Sequence, residues 1–259
     1  MHSLKISLKT ICSCLLLATL FLTSCKDDED AVKTEFTGAK ITVGNGQAWS
    51  YVKTDESGKP ITVGIQFDES ALTNLPTGDP HGHEFDLKMP TDMDVAPFDH
   101  ITFDWNEHGH EPLGVYDLPH FDCHFYFITE AEQAAVNPSD TAKVNLPLPA
   151  QNMPPMYLDT KEAMPNMGVH LIDLLSPEIA GTGIFTKTFI YGKYNGEITF
   201  LEPMLTLDYI KSKPGQSVAI RQPEKWMEEG FYPASYAVRY DAKEKVYTIA
   251  LEGLAHFHQ

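Results

Sequence analysis

Hydrophobic and polar residues alternate along most of the chain in short runs that are typical of β-strands. The runs are rich in β-branched and aromatic residues and end at Gly, Pro, Asp or Asn, which favour turns. The predicted strands are 36–43, 47–53, 61–67, 84–89, 98–105, 120–126, 184–194, 197–201, 235–240 and 245–251. Asn195-Gly196 between two of these runs favours a tight hairpin. The pattern therefore predicts an all-β fold, either a single β-sandwich or a distorted barrel.

Helix is predicted at two short segments only. Residues 129–136 begin with Thr129 and carry a glutamate three residues later, which is the capping-box pattern, and residues 205–211 form the second segment. Residues 144–168 contain five prolines and few periodic apolar residues. We expect this stretch to be a long, ordered Pro-rich loop that lies over the sheets or separates two halves of the domain.

The segment 120–126 alternates more regularly than any other. On a strand, one face would carry His120, Asp122 and His124, and the other face would be apolar. A helix that begins at Pro119 would also bring the two histidines together, but the alternating aromatic residues favour the strand. On a strand the two histidines lie about 13 Å apart, so only one of them is expected to bind a given ion.

Histidine is the candidate ligand for a metal ion, because seven of the eleven histidines lie between residues 81 and 124. His108-Gly109-His110 has the spacing at which two imidazoles face the same way on an extended chain. The predicted metal ligands are histidines and carboxylates from three regions of the chain: His110, His120, Asp122, His124, His170 and Glu202. We expect His110, His170 and either His124 or His120 to share one ion, assisted by Glu202.

Two interpretations of this segment stay open. Asp122 is either a ligand or the acceptor that fixes an imidazole tautomer. The ion is a first-row divalent metal, with Zn²⁺ as the first expectation, since imidazole and carboxylate ligands suit it. The alternative is a hydrogen-bonded polar seam without a metal, in a non-catalytic structural or binding module of the cell envelope. A metal site would suit metal-assisted hydrolysis or hydration, with Asp122 or Glu202 as proton acceptor.

The N-terminus has the features of an exported lipoprotein. Lys5 and Lys9 precede an apolar run over residues 11–22, which is too short to span a bilayer as a helix. The stretch Leu22-Thr23-Ser24-Cys25 resembles a bacterial lipobox and predicts cleavage before Cys25 and attachment of lipid to it.

Three parts of the chain follow from this prediction: a signal peptide over residues 1–24, an acidic tether over 25–35 and a β-rich domain over 36–259. The acidic run after Cys25 resembles the export signal of some surface lipoproteins, so we expect a lipid-anchored protein of the outer membrane or cell surface. The membrane contact is expected to come through the lipid alone.

Charge and motifs exclude several function classes. The net charge of −17, which loss of Lys5 and Lys9 makes more negative, would repel phosphate backbones, so no nucleic-acid partner is expected. The sequence has no G-x-S-x-G, H-E-x-x-H, P-loop, EF-hand or dinucleotide motif.

Cys123 lies between two phenylalanines, Phe121 and Phe125, which predicts that its thiol is buried and inert. A homo-oligomer or an unidentified envelope protein is the expected partner.

The stretch from Trp105 to Tyr126 resembles the sigma-E-controlled, TTHB-type domain family of secreted bacterial proteins of unknown function. Further matching stretches surround His170, Glu202 and Tyr232-Pro233, so the resemblance covers roughly residues 40–253. All six predicted metal ligands fall at matching positions, whereas His81, His83, His108 and the C-terminal histidine pair do not. The resemblance implies a secreted domain and supplies no established activity.

Overall fold

Two antiparallel sheets, packed face to face, form the part of the chain that the structure describes. The structure is a computed structural model and describes residues 34–258, so the predicted signal peptide, Cys25 and nearly all of the tether lie outside it. The strands are β1 Glu35–Thr37, β2 Ile41–Val43, β3 Gly46–Thr54, β4 Pro60–Asp68, β5 Asp86–Lys88, β6 His100–Asn106, β7 His120–Tyr126, β8 Tyr157–Met164, β9 Gly168–Asp173, β10 Lys187–Tyr194, β11 Glu197–Thr206, β12 Ser217–Ala219, β13 Gly230–Tyr232, β14 Ser235–Asp241, β15 Val246–Glu252 and β16 Ala255–Phe257.

The first sheet has the strand order β1-β3-β4-β15-β14-β12, and β2 also pairs with β3. The second sheet has the order β5-β6-β7-β11-β10-β9-β8, and β13 with β16 forms a separate two-stranded ribbon. Within residues 34–258 neither large sheet closes on itself. The all-β prediction is therefore confirmed, and the architecture is the sandwich of the two alternatives.

The main core lies between the two sheets and is built from the inward residues of each strand. Phe67 of the first sheet packs against Phe103 of the second with tilted rings whose centroids lie 5.4 Å apart, and the ring centroids of Phe189 and Tyr236 lie 5.3 Å apart. Cys123 is fully buried in this core, and burial raises the pKa of its thiol well above the usual range. The thiol therefore belongs to the packing of the apolar face of β7.

Short helices connect the strands: α1 Glu130–Ala134, α2 Thr141–Asn145, α3 Pro177–Ala180 and α4 Leu207–Lys211. Thr129 and Glu132 form the predicted capping box at the start of α1, and α4 lies within the second predicted helical segment. None of the helices in the described residues is long and apolar enough to cross a membrane.

Two predictions about the middle of the chain need correction. Residues 144–168 are not one long loop, because the proline-free run between Pro155 and Pro165 forms the edge strand β8, which pairs with β9. The strand predicted to end at residue 201 continues to Thr206 through Pro203. Pro203 lacks a backbone N–H and leaves a gap in the ladder with β7, yet the register is the same before and after it.

The outer face of the second sheet is also buried, which is unusual for a sandwich. Tyr126, Phe185 and Phe200 belong to a second apolar cluster on this face. Met167 and Ile179, from the segments before and after β9, pack against that cluster. This cover creates an enclosed second layer, and the predicted metal ligands lie in it.

Candidate metal centre

The strand β7 presents its polar residues to the enclosed outer face of the second sheet. His120, Asp122 and His124 are all buried there, on alternate positions of the strand. The constant register between β7 and β11 places Glu202 directly opposite His124. The predicted strand with one polar face is confirmed, and the helical alternative is wrong.

The first donor group consists of His110, His120 and Asp122. One ligand atom from each side chain lies within 4.8 Å of the others. Asp122 Oδ1 is 3.0 Å from His120 Nε2, and Asp122 Oδ2 is 3.2 Å from His110 Nε2. His110 lies in the loop between β6 and β7. A hydrogen bond within this loop, from His110 N–H to the Tyr116 carbonyl, fixes the backbone at His110.

The second donor group consists of His124, His170 and Glu202, again with ligand atoms within 4.8 Å of one another. Glu202 Oε1 is 3.5 Å from His124 Nε2, and Glu202 Oε2 is 3.7 Å from His170 Nε2. Two ligands of one tetrahedral ion, each about 2.0–2.1 Å from it, lie about 3.3 Å apart. The donor spacings in both groups are close to that value.

Hydrogen bonds donated by the Nδ1–H groups orient three imidazoles toward the donor groups. His120 Nδ1–H donates to the Leu118 carbonyl at 2.6 Å, and His110 Nδ1–H donates to the Glu111 carbonyl at 2.7 Å. A carbonyl oxygen only accepts, so the proton is on Nδ1 and the lone pair of the neutral ring is on Nε2. Each Nε2 is thus available as a ligand atom.

His124 is oriented by a carboxylate in the same way. Its Nδ1 lies 2.9 Å from Asp104 Oδ2, which also accepts a hydrogen bond from Thr102 Oγ1 at 3.0 Å. A carboxylate on the far nitrogen of a histidine is the usual support of a metal-binding imidazole. Asn106 orients Asp122, since Asn106 Nδ2 donates a hydrogen bond to Asp122 Oδ2 at 2.8 Å.

Several buried polar atoms in the two groups have no hydrogen-bond partner. These atoms belong to the predicted ligands and point toward the other ligand atoms of the same group: His120 Nε2, Asp122 Oδ1, His124 Nε2 and Glu202 Oε2. His120 Nε2 and Asp122 Oδ1 are close but lack the alignment of a hydrogen bond. A buried imidazole nitrogen and a buried carboxylate oxygen without a hydrogen bond are costly unless a proton or a cation lies between them. The unsatisfied atoms therefore mark positions that a proton or a cation could occupy.

The pKa values describe how the protein without metal balances its buried acids. Burial lowers the pKa of His124, but Glu202 and Asp104 outweigh it and raise the value to about 9. Burial raises the pKa of Glu202, so this carboxyl holds a proton more readily than an exposed one. His170 is partly buried, and desolvation together with the charge of His124 lowers its pKa to about 3, so its ring is neutral at pH 7.

The first donor group is balanced by a hydrogen-bonded ion pair. Burial alone would raise the pKa of Asp122, but the imidazoles of His120 and His110 hold it well below its usual range. Burial lowers the pKa of His110, while the hydrogen bond to Asp122 and its charge raise the value to about 9. Protons thus supply the positive charge in the absence of metal, and a divalent ion would replace them.

Gly192 gives His170 access to Glu202 from two strands away. It lies opposite both His170 and Phe200 in the sheet, and a Cβ at this position would meet the Phe200 ring at 2.2 Å. Phe200 therefore lies over Gly192, and its ring packs against His124 at 4.8 Å and His170 at 5.5 Å. The glycine and the phenylalanine together position the second donor group.

The structure divides the predicted ligands differently from the expectation. All six lie on the outer face of the second sheet, where His110 is 38% exposed and His170 is 20% exposed. His110 belongs to the first donor group, while His124 and His170 belong to the second. The three histidines were expected to form one ligand set for a single ion, but the structure places them in two adjacent donor groups. His120 and His124 fall in separate groups, in keeping with their distance on a strand. His108 is 85% exposed and belongs to neither group.

Three supporting residues were missed by the sequence reasoning. Thr102, Asp104 and Asn106 occupy alternate positions of β6, opposite His124, Asp122 and His120 respectively. Their signal is the polar alternation in the sequence His-Ile-Thr-Phe-Asp-Trp-Asn, which matches that of β7.

One comparison with known proteins finds a family. Residues 55–105 match the TTHB210-like family, which is described as "Hypothetical protein TTHB210". No curated protein and no solved structure matches the chain. The match supports a family of unknown function. It includes Thr102 and Asp104 but ends before His110, so the wider resemblance, sigma-E control and lipoprotein character remain predictions.

Proposed function

We propose that this protein binds two divalent first-row metal ions, with one ion in each donor group on the enclosed face of the second sheet. The observation that carries the proposal is the set of buried polar atoms without a hydrogen-bond partner that face each other in both groups. In a purely structural seam these atoms would be paired, because each unpaired buried polar atom costs about 1–3 kcal/mol.

Zinc fits the donor types best. Each group offers two imidazole nitrogens and one carboxylate, and the thiol of Cys123 faces the opposite side of β7 in the core. Two histidines and one carboxylate are a recurrent zinc ligand set that leaves the fourth position for water. Mn²⁺ and Fe²⁺ are weaker competitors at nitrogen-rich sites.

The same donor set suits metal-assisted hydrolysis or hydration. A bound ion would act as a Lewis acid and lower the pKa of a water molecule. The chain itself contributes a proton acceptor: Glu202 has one oxygen without a hydrogen bond, and burial raises its pKa toward neutrality. Asp122 is less suited to this role, because its neighbours keep its pKa low.

A second candidate function is a structural or binding module of the cell envelope. It is favoured by the completed hydrogen bonds around the groups, such as Thr102 to Asp104 and Asn106 to Asp122, which would hold a polar seam together without metal. Such a module would bind its partner through exposed aromatic side chains. Trp49 and Trp226 do not provide them, because both are buried.

Two single substitutions separate two ions from one shared ion. We expect His120→Ala to lose one tightly bound zinc equivalent and His170→Ala to lose the other, with two tightly bound in the wild type. The count is made by native mass spectrometry of zinc-loaded, untagged protein. His108→Ala is the matched control, because that histidine is exposed and outside both groups. Loss of the same single ion in both variants would contradict two sites.

Export and lipid anchoring are proposed on the sequence of residues 1–25. The first described strand begins at Glu35, so nine residues lie between Cys25 and that strand. We expect Cys25→Ala to abolish lipid labelling and membrane sedimentation. The melting temperature of the domain should stay unchanged, because the acidic run over residues 26–30 has no apolar residue that could dock on the fold. Labelling with a palmitate analogue and cell fractionation test this, and a membrane-bound, labelled variant would refute it.

A further inference from the structure

A third cluster of metal-type donors lies on the C-terminal ribbon, at the histidine pair that falls outside the family resemblance. The ribbon pairs Gly230 with Phe257 and Phe231 with His256. One further step in this register brings Glu229 opposite His258. Since alternate residues of a strand share a face, the carboxylate and both imidazoles are on the same side of the ribbon.

The donor atoms of this cluster are close enough for one ion. His258 Nδ1 is 3.2 Å from Glu229 Oε1, and His256 Nε2 is 3.8 Å from the same oxygen. The two imidazole rings lie 4.2 Å apart. One ligand atom of each residue lies within 4.8 Å of the other two, as in the two donor groups of the inner face.

The ribbon fixes the central ligand before any ion binds. His256 packs edge-on against Phe231 with ring centroids 4.7 Å apart, and only 25% of its side chain is exposed. A ligand that is already held in place loses little rotamer entropy on binding. His258 is 76% exposed, so an ion here would stay in contact with solvent.

We infer that Glu229, His256 and His258 form a third, exchangeable site for a divalent transition metal ion such as Zn²⁺. Two imidazoles and one carboxylate are the donors, and the exposed side leaves positions for water. The exposure of two of the three ligands makes this site weaker and faster to exchange than the buried groups. The inference is independent of the inner sites, because it uses none of their residues.

Calorimetric titration of the chelator-treated, untagged full chain with Zn²⁺ tests this site. We expect a tight phase of two ions followed by a weaker phase of one ion. His258→Ala and Glu229→Gln should each weaken only the last phase, by at least the roughly tenfold lower bound for losing a supporting group of a metal site. Both residues are exposed, so the melting temperature of the metal-free variants should equal that of the wild type.

The outcomes separate this site from the proposed function. A wild-type chain that binds no ion beyond the inner two, or a His258→Ala variant that keeps the weak phase, overturns the third site. Loss of the weak phase in His120→Ala or His170→Ala, but not in His258→Ala, would also overturn it. A weak phase lost in His258→Ala in a protein without the tight phase would support the third site and refute the inner ones.

Discussion

Removal of the two inner ions should lower the free energy of unfolding by about 8 kcal/mol, when free zinc is first set at 1,000 times the dissociation constant of each group. An ion that binds only the folded chain stabilises it by RT ln(1 + [L]/Kd), which is about 4.1 kcal/mol per site under these conditions. In a chain of this size each kcal/mol corresponds to roughly 2–4 °C of melting temperature. Thermal unfolding with zinc and with excess chelator measures the difference.

The control for this prediction is the double variant His120→Ala, His170→Ala. Its melting temperature should differ far less between zinc and chelator than that of the wild type, because each inner group has lost a ligand. The wild type without metal provides the baseline for any direct effect of the substitutions on folding. Equal melting of wild-type protein in zinc and in chelator would contradict stabilisation by bound ions.

Substitution of Asp159 by Ala should destabilise the domain by about 3 kcal/mol, whether or not metal is bound. Lys193 of β10 is fully buried, and its ammonium group donates to the carbonyls of Val144 and Leu146 and to Asp159 Oδ2 at 2.8 Å. Breaking a buried ion pair costs about 3–5 kcal/mol, and the partial exposure of Asp159 favours the lower end. Urea denaturation of metal-free protein at pH 7 provides the measurement.

The effect of Asp159 should depend on pH. Burial raises its pKa, but the hydrogen bonds from Lys161 and Lys193 outweigh burial and hold it below the usual range. A lowered carboxyl pKa stabilises the fold above the unfolded value of about 3.9, and this contribution disappears as the pH falls through the folded value. The difference between wild type and Asp159→Ala should therefore shrink in acid.

Lys161→Ala serves as the control for Asp159→Ala. Lys161 also pairs with Asp159, but half of its side chain is exposed, so its loss should cost less than about 0.5 kcal/mol. If Asp159→Ala changed stability no more than this control, Lys193 would not depend on Asp159 for its charge balance.

The fold class could be predicted from the sequence because strand patterns are local. The alternation in β7 separates its polar face from the face that carries Cys123, and both faces are found as expected. Pro203 misled the prediction of β11, because a proline usually ends a central strand. Here the ladder loses one N–H and continues in the same register, which brings Glu202 opposite His124.

The grouping of the ligands could not be predicted, because it depends on contacts between distant parts of the chain. His170 reaches Glu202 only because Gly192 leaves room between their strands. His110 reaches Asp122 through a loop whose path no periodicity describes. Asp104 was missed for the same reason: its role as the acceptor of His124 appears only when β6 pairs with β7.

The zinc content of the native protein tests the central claim most directly. Untagged protein should be purified without chelator and without added metal, and its metals counted by inductively coupled plasma mass spectrometry against amino-acid analysis. The two buried donor groups predict two equivalents of a first-row divalent metal that survive dialysis against metal-free buffer. A chain that carries no such metal, and takes up none when zinc is then supplied, would contradict the metal sites and leave the inner face as a structural seam.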